Sequence, residues 1–176
     1  VMASKIKVDT LETANGSGTI ALSNQLSGMT TASLPALGSA QMPSGSVIQV
    51  LTNKGSAGLS LTSGTFITTG MSLAITPSST SNKILAMFQS SSLTTLAANT
   101  AINVSLRRSG TQVSYTSYYT AQQAGNQTVP VGTIHTLDSP AATTAITYEV
   151  FVQRGGVSGT VQINGPLELT LMEIKG

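Results

Sequence analysis

The sequence predicts an all-β protein: an antiparallel β-sandwich, jelly-roll-like, of about eight to ten strands. An extended N-terminal arm is expected to precede it. Three observations carry this expectation. In Met71–Thr76, Met71, Leu73 and Ile75 alternate with Ser72, Ala74 and Thr76, the period of a half-buried strand. The chain carries 26 Thr and 24 Ser against 8 Lys and Arg and 6 Asp and Glu. Hydroxyls in place of charges suit the exposed face of strands, and suit helices poorly. Turn signals also recur between short apolar runs along most of the chain.

The arm is assigned to residues 1–46, where no aromatic residue occurs; the first is Phe66. Ile6 and Val8 alternate with Lys5, Lys7 and Asp9, a short strand candidate, and Asn15-Gly16-Ser17-Gly18 is a turn. Thr19–Leu22 could return as a second short strand, and Pro35 and Pro43 disfavour helix beyond it. Fixing this backbone costs about 1–2 kcal/mol per residue, more than the segment can recover from its own small side chains. It is nonetheless richer in Leu and Met than a plain linker. Ile6, Val8, Leu11, Ile20, Leu22, Leu26, Leu34 and Leu37 are therefore expected to order against neighbouring subunits, as an anchor or stalk.

Residues 47–176 are expected to form the head. Val47–Leu51 opens it, followed by Phe66–Thr76, which Pro77 ends because it cannot donate to a ladder. After turn chemistry at Ser78–Asn82, Lys83–Ser91 holds the nearly continuous apolar run Ile84–Phe88, the mark of a strand covered on both faces. Ala101–Arg108 and Thr111–Tyr119 flank Ser109-Gly110, a two-residue hairpin turn. Val129–His135, Ala145–Gln153, Thr160–Ile163 and Leu167–Ile174 complete the set.

The chemistry-bearing residues are few. His135 is the sole histidine, no serine sits in G-x-S-x-G, and Asp138 three residues on reads as part of the turn Asp138-Ser139-Pro140. Glu149 and Glu168 could neighbour each other as a glycosidase pair, but Glu149 between Tyr148 and Val150 reads as an outward residue on a polar face. No catalytic residue is assigned and no enzyme is expected. There is no Cys and no calcium-loop spacing, so neither metal nor cofactor is implied. The net charge of +2 is dispersed, with Arg107-Arg108 the one adjacent basic pair, which argues against nucleic acid. No run approaches the ~20 apolar residues of a bilayer span. Lys5 and Lys7 are followed by no apolar stretch of signal-peptide type.

Tyr115, Tyr118 and Tyr119 form the densest aromatic group, with Arg107 and Arg108 just before the turn that leads to them. Tyrosine joins apolar area to a polar tip and suits sugar stacking and interfaces. The five residues make a candidate glycan or partner surface. The competing reading puts Tyr115 in the core and a second tyrosine over a sheet edge.

SKIKVDTLETANGSGTIAL (4–22), PSGSVIQV (43–50), ITPSSTSNKIL (75–85) and LTLMEIKG (169–176) together resemble small virion structural proteins of tailed bacteriophages, of cyanophage type. The resemblance implies a homotrimer assembled in the host cytoplasm and displayed on the virion surface. The N-terminal segment would attach to other virion proteins, major capsid or tail, and the sandwich would project. A full tail fibre has a long shaft and an adaptor domain, absent here, so a capsid decoration protein or short head fibre is expected. A tail-fibre tip that binds host surface glycan is the alternative.

Overall fold

A computed structural model describes residues 38–56, 58–97, 100–119, 127–129, 132–156 and 158–176; for Tyr119 and 127–129 it describes the backbone. The assigned arm residues Ile6, Val8, Leu11, Ile20, Leu22, Leu26, Leu34 and Leu37 lie outside the described residues.

Ten strands run through the described residues: β1 (Val47–Ser56), β2 (Leu59–Leu61), β3 (Ile67–Ile75), β4 (Lys83–Thr95), β5 (Ala101–Arg108), β6 (Thr111–Tyr119), β7 (Gln127–Val129), β8 (Gly132–Asp138), β9 (Ile146–Gly155) and β10 (Val161–Ile174). They form two antiparallel sheets. Sheet A has β10 and β4 at its centre, β1 and β2 along β10, and β8 and β7 along β4. Sheet B has the order β3-β9-β5-β6. In chain order β1, β3, β4, β5, β6, β8, β9 and β10 visit A, B, A, B, B, A, B, A, the path of a jelly roll. The fold is an all-β sandwich.

The core lies between the sheets. Ile84, Ala86 and Phe88 of β4 and Leu167, Leu169 and Leu171 of β10 face Ile102, Val104 and Leu106 of β5 and Tyr148, Val150 and Val152 of β9. Each large side chain so buried contributes about 1.5–3 kcal/mol. Both open sides of the sandwich are bridged by side chains. On one, Asn53 Nδ2 donates to the Ser72 carbonyl at 2.9 Å, from β1 to β3. On the other, the Tyr118 hydroxyl of β6 bonds the backbone of Thr133 in β8.

The hairpin β5–β6 has the bounds the sequence predicts, because its turn is local. Ser109 and Gly110 both adopt positive φ, 47° and 85°, as a tight primed turn requires. The C-terminal strand differs from expectation. Thr160–Ile163 and Leu167–Ile174 are one strand, β10, continued through a register shift between Asn164 and Leu167. Gly165 at φ 79° makes the bulge, and Pro166 falls within it, where no ladder donor is needed on the β4 side.

Residues 38–46 hold one 3-10 turn (Ser39–Gln41) and then run beside the C-terminus. Gly45 N–H donates to the Lys175 carbonyl at 2.8 Å, and Lys175 N–H to the Ser46 carbonyl at 2.9 Å. The Lys175 ammonium also donates to the Ser39 and Ala40 carbonyls, at 3.0 and 2.8 Å. The chain therefore enters β1 at the same end of the sandwich where it leaves β10.

Candidate functional site

The inner faces make the core, which leaves the two outer faces open to other molecules. On sheet B the pairing of β5 with its neighbours sets the surface. Ser105 lies between Tyr115 and Phe151, Asn103 between Ser117 and Gln153, and Arg107 between Gln112 and Glu149. The small residues Asn103 and Ser105 are buried beneath these larger neighbours although they point outward. Their polar atoms are satisfied within the surface: Ser105 Oγ donates to Gln112 Oε1 at 3.1 Å, and Ser117 Oγ to Asn103 Oδ1 at 2.8 Å.

Above this floor sits an aromatic group around one cation. The Arg107 guanidinium carbon lies 4.3 Å from the Phe151 ring centroid and 5.1 Å from that of Phe66. Phe66 meets Tyr115 edge to face, with centroids 6.3 Å apart. Tyr115 is 49% exposed. Both cation–ring distances are within cation–π range.

The expected five-residue surface divides between two faces. Arg107 and Tyr115 are on the outer face of sheet B. Arg108 points the other way, its Nη1 on Asp138 Oδ2 at 2.6 Å, with both side chains largely buried. Tyr118 also turns inward, packs on the core and bonds the Thr133 backbone. The Tyr119 side chain lies outside the described residues.

The outer face of sheet A is different. Val50, Met172, Leu85 and Leu137 form one cross-strand row over four strands. Val47 and Ile174 flank it on one side, and Thr52, Thr170, Met87 and His135 form the next row on the other. Val50 and Leu137 are 52% and 54% exposed, and Leu85, Met87, Met172 and Ile174 half-buried. The run Ile84–Phe88 is thus covered on its core side by the second sheet, while Leu85 and Met87 are left on an apolar outer face. Beyond His135 the surface turns polar, with Lys54 against Glu168 at 3.6 Å and Gln89 donating to Glu168 at 3.3 Å. An open hollow of about 390 Å³ lies there, lined by Met87, Gln89, Thr133, His135, Glu168 and Thr170 among others.

The candidate acid–base pairs do not come together. His135 is on the outer face of β8, while Asp138 faces inward to Arg108 and Tyr148. Glu149 and Glu168, expected as possible neighbours, belong to strands of different sheets, on opposite outer faces of the sandwich. Among the described residues no three His, Asp or Glu side chains converge as a metal site would need.

A buried tyrosine and a buried glutamate lie at one end of the sandwich. Tyr148 is fully buried and donates to Asp138 Oδ2 at 2.6 Å. Burial, and then the hydrogen bond and negative charge of Asp138, push its hydroxyl well above the ordinary tyrosine range. Tyr148→Phe is expected to cost about 1.5–3 kcal/mol, the range for a hydrogen bond to a charged group, read from urea unfolding. Glu173 is fully buried too. It accepts from Gln49 Nε2 (2.6 Å), Ser78 N–H (2.7 Å), Ser78 Oγ (2.8 Å) and Asn82 Nδ2 (2.6 Å). Burial opposes its charge, but the bonds from Asn82, Gln49 and Ser78 outweigh it and hold the carboxyl below the ordinary glutamate range.

Sequence reasoning missed Phe66, Phe151 and Glu173. The first two meet Arg107 through strands far apart in the chain, and nothing local marks them. Glu173 had a signal: it stands in phase with Leu169 and Leu171, so it faces the core. The sequence matches no protein-family model and no curated protein.

Proposed function

We propose that the chain is a non-enzymatic structural protein of a bacteriophage particle. It is a surface-exposed homotrimer of capsid-decoration or head-fibre type, held to the major capsid or tail proteins through residues 1–46. The apolar outer face of sheet A carries this reading. A strand apolar on both sides calls for cover on both sides, and the protomer supplies one. The row from Val50 to Leu137 crosses four strands, ~15–20 Å at the usual strand spacing. Surfaces of this kind on a soluble protomer mark interaction sites. Copies of the chain are the occupant, with closed symmetry multiplying modest contacts; the number three comes from the resemblance to phage virion proteins.

Gold-conjugated antibody against the sandwich is expected to decorate purified phage particles at symmetric surface positions. Label found in host cells and never on particles would contradict the reading.

A second reading is a tail-fibre tip domain that binds host cell-surface glycan. What favours it is the aromatic and cationic group on sheet B, on the face left free when sheet A is covered.

A further inference from the structure

We propose that Arg107, with Phe66, Phe151 and Tyr115, forms a receptor for the carboxylate of an acidic saccharide. The inference deepens the glycan reading by naming the sugar class, and rests on it; it is independent of where on a particle the protein sits.

The argument starts from the partners of the cations. Among the described residues, Arg108 is paired with Asp138, Lys54 with Glu168, Arg154 and Lys175 donate to backbone carbonyls, and Lys83 is exposed to water. Arg107 has two aromatic rings and no oxygen. Its Nε is buried without an acceptor, and no hydrogen bond or ion pair reaches the rest of the group. Glu149 stands opposite it in the ladder but is not within ion-pair distance. The rings strip water from the flanks of the guanidinium and fix its direction. Its two terminal nitrogens remain to meet a ligand.

A partly desolvated guanidinium with no counter-ion binds an anion more strongly than one in open water. Its planar fork matches a planar carboxylate with two parallel hydrogen bonds. The half-exposed ring of Tyr115, against Phe66, offers the flat apolar area on which a pyranose rests. Glu149 and Gln112, the ladder partners of Arg107, can accept and donate to sugar hydroxyls. A cation, an aromatic platform and hydroxyl partners within one surface together suit a uronic or sialic acid residue. A neutral sugar leaves the cation unused.

The test is a glycan array probed with the full chain. It carries uronic- and sialic-acid glycans, their carboxyl-reduced counterparts, and sulfated and phosphorylated glycans. Binding to carboxylated glycans is expected, at least tenfold weaker on the reduced ones. Arg107→Lys keeps the charge but loses the fork, and is expected to weaken carboxylate binding about tenfold. Tyr115→Ala is expected to weaken acid and reduced forms alike. Equal binding to acid and reduced glycans, unchanged in Arg107→Lys, would overturn the carboxylate assignment and leave the glycan reading standing. Preference for sulfated or phosphorylated glycans would overturn it also. No glycan bound at all would overturn both. Loss of thermal stability in Arg107→Lys with binding intact would make the arginine structural and overturn the proposal.

Discussion

Glu173→Ala is expected to lower the unfolding free energy by about 3–5 kcal/mol, because the shared acceptor of four hydrogen bonds, each strengthened by its charge, disappears from a buried site. The carboxylate joins three separated pieces of chain: Gln49 in β1, Ser78 and Asn82 between β3 and β4, and its own strand β10. Asn82 is itself buried, and without the carboxylate its amide keeps only the Ser78 hydroxyl, at 3.1 Å. Glu173→Gln keeps the volume but brings an amide donor among donors, and should lose less. The two variants differ from the parent in pH dependence as well. The carboxyl is held below its ordinary range in the fold. Its contribution is therefore fully present above the pKa of the unfolded glutamate. It is lost as pH falls through the folded pKa. Urea unfolding from neutral pH down through the acid range should show the parent losing stability that Glu173→Gln never had. Parallel curves for the two proteins would remove Glu173 from the account of this end of the sandwich.

The second large effect concerns the outer face of sheet A. The double substitution Val50→Asp with Leu137→Asp places two charges where the proposed assembly would bury apolar surface. An uncompensated buried charge costs several kcal/mol even after partial relaxation, and the cost recurs at every symmetric contact. Dissociation to monomers is expected, with the strand signal in circular dichroism retained, since both side chains are more than half exposed in the protomer. Thr68→Asp, exposed on the outer face of sheet B, is the control and should leave the mass unchanged. If the double variant unfolds, the single Leu137→Lys, with a longer and more flexible charge, separates folding from assembly.

What the sequence made legible follows the range of the interactions. The β5–β6 hairpin was readable to the residue because two turn positions decide it. The second half of β3, Met71–Ile75, is readable from alternation, and its end from the missing donor of Pro77. The sequence places this strand at Val129–His135, three residues early, because no local signal carries it past His135; pairing with β4 through Asp138 sets β8. The site was half legible. In a strand, neighbours and residues three apart fall on opposite faces. Arg107 and Arg108, and Tyr115 and Tyr118, are thereby separated by the same period that identified their strands. Phe151, brought to Arg107 by the β5–β9 pairing, was beyond any local pattern. The apolar run Ile84–Phe88 stated a need for two covers, and the protomer leaves the second on its surface.

Sedimentation equilibrium of the full chain, free of particles, puts that surface to the most direct test. The expected result is a species of three times the 17.9 kDa chain mass, reduced to one by the charges at Val50 and Leu137. A monomer at every concentration reached, with Leu85, Met87 and Met172 open to solvent, would contradict it.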